Sequence, residues 1–410
     1  MSYHLPKGFR FAGVSAAIKK KTGTKDIALI VSDVPAVAAG VYTQNQVVAA
    51  PVVLCRARTP MSVARAVVVN SGNANACTGS RGDADARRMC ELVAQTLSAS
   101  AAGGTDAAPV EITAEQALVM STGVIGHFLP MDKVEAGIRQ AAGELAAGEA
   151  AFLNAADGIM TTDVARKVTT RQAELGGRVI GIAGMAKGAG MIGPNMATML
   201  CCVMTDANLS AEQAQRLLTR AANRSFNNIS VEGHTSTNDS MLLLANGQSG
   251  GNRLDAAEEA QFAEHLEAMC IELAKQIPAD GEGSAHLIEV VVRGAQCEAD
   301  ARKISHTVAS SNLVKTAVHG ADPNWGRIVS AAGYAGPAIV PSELALKING
   351  IQLFAAGEPM AFDARLASSS IRDNHTTLIE LTVGSGPGTC THWTSDLGVE
   401  YVRFNSEYTT

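Results

Sequence analysis

Gly184-Met-Ala-Lys-Gly-Ala-Gly-Met-Ile-Gly-Pro-Asn-Met-Ala-Thr-Met-Leu200 lies almost at the midpoint of a chain of 410 residues. Its glycines (184, 188, 190 and 193), with Pro194 and Asn195, mark a loop, and the apolar run 199–204 behind them marks a buried strand. Thr198 falls at the boundary, as the first residue of that strand. A hydroxyl held at such a junction is placed to attack a carbonyl, including that of Ala197 just before it. The same composition also fits a plain glycine-rich connection, so the decision rests on the rest of the chain.

Working outward, strands and helices alternate. Before the loop, residues 63–69 read as a strand ending in Asn70-Ser71-Gly72. Residues 83–97 follow as a helix with Ala86, Met89, Cys90, Val93 and Leu97 on one face. A short strand at 118–121 breaks into Thr122-Gly123, Pro130 opens another helix, and residues 178–182 are a strand leading into the loop. Beyond it, Ser210-Ala-Glu-Gln213 is a capping box, and a longer helix covers about 256–275. Strands are expected at 287–292, 377–383 and 399–404, a helix near 298–308, a loop at 320–327, and a hairpin on Asn349-Gly350. The expected class is α/β: a layered α/β/β/α-type sandwich of mixed sheets stacked face to face, with helices outside. There is no internal repeat or low-complexity linker, and the only plausible division is at the Thr198 junction.

Composition narrows the function. Apolar residues make up 47% and aromatic residues only 4%, so small aliphatic side chains must fill the core. A net charge of −6, without a basic stripe carrying aromatics, argues against nucleic acid. No apolar stretch approaches the roughly 20 residues of a membrane span. Lys7 and Arg10 precede a segment broken by glycine and serine and followed by Lys19-Lys20-Lys21, a poor leader peptide. The eight cysteines show no Cys-x-x-Cys spacing, so reduced thiols in a cytoplasm fit better than zinc or a disulfide framework. Cys201 and Cys202, adjacent on a strand, should point to opposite faces as core filler.

A threonine needs a base to become a nucleophile. Its own α-amine, with an unperturbed pKa of about 7.7–8.0, would serve, but only once the bond before it is cut. An N-to-O acyl shift at Ala197-Thr198 followed by ester hydrolysis would release that amine. Thr122 and Gly123 could supply a hydroxyl and a backbone N–H to an oxyanion, or simply form a turn. Lys187, the only charged residue between Arg178 and Asp206, either snorkels or holds an anion. The polar clusters 70–75, 161–163, 232–239 and 280–283 fit turn chemistry and binding alike. His234 near Asp239 suggests a catalytic triad, but there is no Gly-x-Ser-x-Gly elbow to complete it.

The central segment closely resembles the self-cleaving segment of the ornithine acetyltransferases, the glutamate N-acetyltransferases of the cyclic arginine pathway. The likeness spans the chain. It includes Thr43-Gln-Asn-Gln, Ala49-Ala-Pro-Val, Asn70-Ser-Gly-Asn-Ala-Asn-Ala-Cys-Thr-Gly79 and Ser121-Thr-Gly-Val-Ile-Gly126. Met160-Thr-Thr-Asp163, Thr235-Ser-Thr-Asn-Asp239, Asp322-Pro-Asn-Trp-Gly-Arg327 and Asn405-Ser-Glu-Tyr-Thr-Thr410 extend it. The resemblance implies cleavage between Ala197 and Thr198 into an α chain (1–197) and a β chain (198–410), assembled as a heterotetramer. It implies Thr198 as nucleophile and Thr122 with Gly123 as oxyanion hole. Thr161, Lys187, Thr198, Glu282, Asn405 and Thr410 would contact substrate. The implied reaction passes an acetyl group from N2-acetylornithine to glutamate by ping-pong transfer, with no metal or organic cofactor. Whether acetyl-CoA also serves as donor stays open. The alternatives are an amidohydrolase or aminopeptidase using the same N-terminal threonine, and a binding protein without catalysis.

Overall fold

The computed structural model describes residues 3–102, 111–193 and 199–407. Ala197, Thr198 and Thr410 lie outside the described residues. In chain order, β1 (Phe9–Val14) and β2 (Ile27–Tyr42) lead through α1 (Ala50–Arg58) to β3 (Met61–Asn73) and α2 (Gly79–Ala102). Next come β4 (Ala117–Val124), α3 (Met131–Gly143), α4 (Glu149–Ile159), β5 (Lys167–Leu175) and β6 (Arg178–Lys187). Past the central loop follow β7 (Leu200–Thr205), α5 (Ala211–Arg224), β8 (Ile229–Ser230), β9 (Ser240–Ala245), α6 (Ala256–Ala279) and β10 (Leu287–Ala295). The remainder holds α7 (Glu298–Ala309), α8 (Asn312–His319), α9 (Trp325–Gly333), β11 (Ala345–Ile348) and β12 (Ile351–Ala355). It closes with β13 (Glu358–Pro359), α10 (Ala364–Arg372), β14 (Thr376–Thr382), β15 (Gly388–Ser395) and α11 (Val399–Glu407).

Two mixed sheets result, as the sequence implies. The first runs β4-β3-β2-β9-β7-β6-β5 with β1 also on β2, and the second β13-β12-β11-β14-β10-β15-β8. The first sheet draws strands from both sides of residue 198, because β7 and β9 fill the space between β2 and β6. Its two faces carry separate cores. Cys202, Met204, Leu242 and Leu244 face helices α1–α4, while Cys201, Val203, Met241 and Leu243 face α5 and α6. The adjacent cysteines therefore point to opposite faces, as strand alternation requires. All eight cysteines are free.

Helix α6 refines the expected layering. It packs on β5 and β6 of the first sheet and on β8, β10 and β15 of the second, so it lies between the sheets at this end. Its start is set by Asp255, whose carboxylate accepts from the N–H groups of Ala257 and Glu258. The expected capping box at Ser210 opens α5. Among the described residues no helix is long and apolar enough to cross a membrane.

Three local expectations need correction. Residues 399–404 are helical, forming most of α11, and not a strand. The edge of β15 that such a strand could join is already occupied by β8. Val399 and Val402 are 72% and 64% exposed, so their β-branched side chains meet no sheet to favour extension. Second, Lys187 is not a loop residue. β6 continues five residues past Ile182, and Lys187 is its last member, opposite Leu200 of β7. Third, the expected loop at 320–327 turns helical at Trp325, where the Asn324 side chain caps the N–H of Arg327.

Candidate active site

The ends of β3, β4, β6 and β7 meet with the segment before β9. Lys187 is 2% exposed at the end of β6, and its Nζ donates to Thr122 Oγ1 at 3.0 Å. Burial lowers the Lys187 pKa, while Asp163, Asp239 and Glu282 oppose that shift by attraction. Thr122 is buried near the end of β4, and the next residue, Gly123, is exposed. Gly123 has φ +131°, and a Cβ there would come within 2.3 Å of the Gly72 carbonyl carbon, so no other residue fits. The sequence signal at Thr122-Gly123 thus marks a backbone that only glycine can adopt, beside a lysine that the sequence placed elsewhere in the chain.

Asp239 sits where the central loop enters β7. Its Oδ1 accepts from the Met199 N–H at 3.0 Å, and Met199 O accepts from Ser240 N–H at 3.2 Å. Asp239 is fully buried, and among the described residues its Oδ2 has no hydrogen-bond partner. Burial pushes this carboxyl well above its ordinary pKa, outweighing the Met199 hydrogen bond and the attraction of Lys187. The neighbouring Asn238 amide donates to Ala74 O at 2.6 Å and Ser121 O at 2.9 Å, tying this segment to the β3 and β4 ends. His234 takes no part in these contacts: its backbone N–H donates to Glu232. Asp239 is therefore a site residue for a different reason from the triad the sequence invited.

A second cluster braces the loop from the other side. Asp163 Oδ1 accepts from Gly188 N–H at 2.7 Å and from Lys167 Nζ at 2.7 Å, while its Oδ2 accepts from Thr161 N–H at 2.9 Å. Lys167 Nζ also reaches Asp280 at 2.5 Å. Burial alone would raise the Asp163 pKa, but Lys167 and Lys187 beside it hold it down at about 2. Thr161 is thereby fixed against the loop that Lys187 opens.

Glu282 and Asn405 meet as a third group. Glu282 N–H donates to Ala189 O at 2.9 Å, and the Asn405 amide donates to Glu282 Oε2 at 3.2 Å. The carboxylate occupies the space that a side chain at Gly190 would need. Gly283, at φ +71°, lets the α11 backbone approach, since a Cβ there would lie 2.4 Å from Tyr401 N. Thr122, Lys187, Glu282 and Asn405 are thus bound to the start of the central loop or to one another, and Thr161 is joined to it through Asp163. Sequence reasoning missed Lys167. It left the clusters that hold Asp163, Asp239 and Asp280 between turn chemistry and binding, and gave none of the three a role.

Fold and site together define a two-sheet α/β protein with hydroxyl, ammonium and exposed backbone groups gathered at a strand entrance, a setting suited to stabilising a tetrahedral oxyanion. The chain belongs to the ArgJ family, whose model matches residues 10–410. A relative named arginine biosynthesis bifunctional protein ArgJ, from Rhodopirellula baltica, is 51% identical, covering 100% of this chain and 97% of its own. Another of that name, from Symbiobacterium thermophilum, is 47% identical over 99% of this chain and 98% of its own. The crystal structure of an ornithine acetyltransferase from Mycobacterium tuberculosis, complexed with ornithine, is 42% identical. It covers 47% of this chain and 94% of that one, with a TM-score of 0.40.

Proposed function

We propose that this acyltransferase of arginine biosynthesis moves the acetyl group of N2-acetylornithine to glutamate through an acetyl ester on Thr198. The observation that carries the reading is the contact of Lys187 with Thr122 beside Gly123, together with the Asp239 bond to Met199, the residue bonded to Thr198. In the maturation step, Thr198 Oγ bonds to the Ala197 carbonyl carbon and the peptide C–N bond breaks. The proton of the hydroxyl passes to the departing nitrogen, and water hydrolyses the ester. Residues 1–197 and 198–410 then persist as α and β chains, assembled as a heterotetramer.

In each turnover the freed α-amine takes the proton from Thr198 Oγ as that oxygen bonds to the acetyl carbon. Negative charge on the acetyl oxygen falls to Thr122 and the Gly123 N–H. The C–N bond breaks, and ornithine leaves with the proton. The glutamate amine then attacks the ester, and its proton restores the threonine hydroxyl. Lys187 pairs with a substrate carboxylate. Glu282, held by Asn405, receives the ornithine ammonium, and Thr161 and Thr410 complete the substrate contacts.

A denaturing gel of the purified protein is the test. The wild type should give two fragments of roughly half the mass each, and Thr198→Ala one uncut chain. An intact wild-type chain that still transfers acetyl groups would sink the reading. The ratio of acetylglutamate to free acetate then separates transfer from hydrolysis.

A further inference from the structure

One acyl site has to receive two side chains of opposite charge. Ornithine and glutamate share their α-amino and α-carboxylate groups, and their side chains have the same number of heavy atoms. With the amine at the acetyl carbon and the carboxylate at Lys187, both side-chain tips reach the same place. That tip is an ammonium in one half-reaction and a carboxylate in the other. Glu282 suits the first and repels the second. A neighbouring group that changes its charge would serve both.

Glu232 and Glu282 both lie against the central loop. Val231 and Gly233 N–H donate to Ile192 O at 2.9 and 3.0 Å, and a Cβ at Gly193 would lie 2.6 Å from the Gly233 carbonyl carbon. The loop rests on this segment as Ala189 and Gly190 rest on Glu282. Glu232 Oε1 accepts from His234 N–H at 3.3 Å, whereas Oε2 is buried and, among the described residues, has no hydrogen-bond partner. Tyr401 of α11 lies within electrostatic reach of both acids. Burial first, and then the charges of Glu232 and Glu282, raise its pKa.

Among the described residues, the groups facing Glu232 come from four directions. Lys315 of α8 is 3% exposed, and its Nζ donates to Val231 O. Glu282 follows α6, Tyr401 belongs to α11, and the central loop brings the Ile192 N–H. The exposed His234 shares the Glu232 segment. Asp396, the other acid near Lys315, is held by Ser284, His319 and the N–H groups of Ala285 and His286. Burial raises Glu232 to about 7 and lowers Lys315 to about 8, with their mutual attraction opposing both shifts. Glu232 can thus gain or lose a proton near neutral pH beside a buried cation.

We propose that Glu232 sets side-chain specificity in both half-reactions: as a carboxylate it joins Glu282 around the ornithine ammonium, and as a protonated carboxyl it donates a hydrogen bond to the glutamate side-chain carboxylate. The inference rests on the acetyl-threonine reading above. The proton enters from solvent as glutamate replaces ornithine, and returns to solvent before the next acetylornithine binds. Lys315 stays charged throughout and offsets Glu282 while glutamate is bound. Acetylornithine therefore binds better at higher pH and glutamate at lower pH.

Initial rates at pH 6 and pH 8 compare wild type with Glu232→Gln, which keeps an oxygen for the His234 N–H. At pH 8 the variant should raise the KM for acetylornithine about tenfold and lower that for glutamate. At pH 6, where wild-type Glu232 is mostly protonated, both differences should shrink. N2-acetylnorvaline, a donor without the ammonium, should serve both proteins equally. An equal rise in KM for acetylornithine, acetylnorvaline and glutamate would mean that Glu232 only braces the loop, and overturns the proposal. Variant-to-wild-type KM ratios that are the same at both pH values overturn it too. If transfer survives Thr198→Ala, the acetyl-threonine reading fails, and calorimetry with ornithine decides Glu232 alone. Ornithine binding weakened by Glu232→Gln more at pH 8 than at pH 6 then supports the assignment. An equal effect at both, or no binding to wild type, refutes it.

Discussion

At the scale of single residues, the site is a set of hydrogen bonds whose removal should have distinct signatures. Thr122→Ala removes the hydroxyl proposed to meet the developing oxyanion, so kcat should fall about 10²–10³-fold. Lys187→Met removes the buried ammonium proposed to pair with a substrate carboxylate; KM should rise at least about tenfold, more than kcat falls. Steady-state kinetics on the two variants tests both, and an equal effect on KM from each would refute the division of roles. Asp239→Ala leaves the buried Met199 N–H without its acceptor, a loss of about 1–3 kcal/mol. Asp239→Asn keeps an oxygen for that bond and should hold most of the stability, as denaturant melts would show. Thr122, Lys187 and Asn405 lie in motifs that the sequence displays, and Glu282 in a polar cluster, so all four could be named as candidates from sequence. The Asp163–Lys167–Asp280 group was not, since Lys167 and Asp280 lie 113 residues apart and nothing local marks a lysine buried at a strand start.

At the scale of elements, helix α11 carries Asn405 to Glu282 yet buries none of its own residues among those described. Truncating the chain after Leu397 should therefore raise the KM for acetylornithine strongly while moving the melting temperature little. A collapse in stability would contradict that separation. The helix was misread from sequence because Val399, Tyr401 and Val402 look like strand residues, and only the filled edge of β15 rules a strand out. The segment between β8 and β9 has its own pH signature. Burial raises Glu232 from 4.5 to about 7, against its hydrogen bonds to Ile192 and His234 and the nearby Lys315. The folded state thus binds this proton more tightly, and the stability it contributes below about pH 4.5 is lost as pH rises through 7. Glu232→Gln should flatten the fall in melting temperature across that window.

At the scale of the whole molecule, the sequence showed which segments were strands better than it showed their neighbours. Alternation and apolar runs located β3, β4, β7, β10 and β14. Nothing local revealed that β7 and β9 sit between β2 and β6, because pairing partners far apart in sequence leave no periodic trace. That placement makes a prediction about the cut protein. The fragments 1–197 and 198–410 share the first sheet and both of its cores, so they should co-elute in native chromatography. They should separate only in denaturant. Fragments that part under native conditions would contradict the shared sheet.

The place of β7 and β9 also dictates an order of events. A growing chain that has reached only residue 197 holds β2 and β6 with nothing to join them, so the sheet cannot close. Closure waits for β9, and only then does Asp239 meet Met199. On the proposed mechanism, scission at Thr198 would follow folding and not precede it, and the cut would be a molecular receipt for a completed sheet. In any preparation, the uncut fraction should count the molecules that never finished folding.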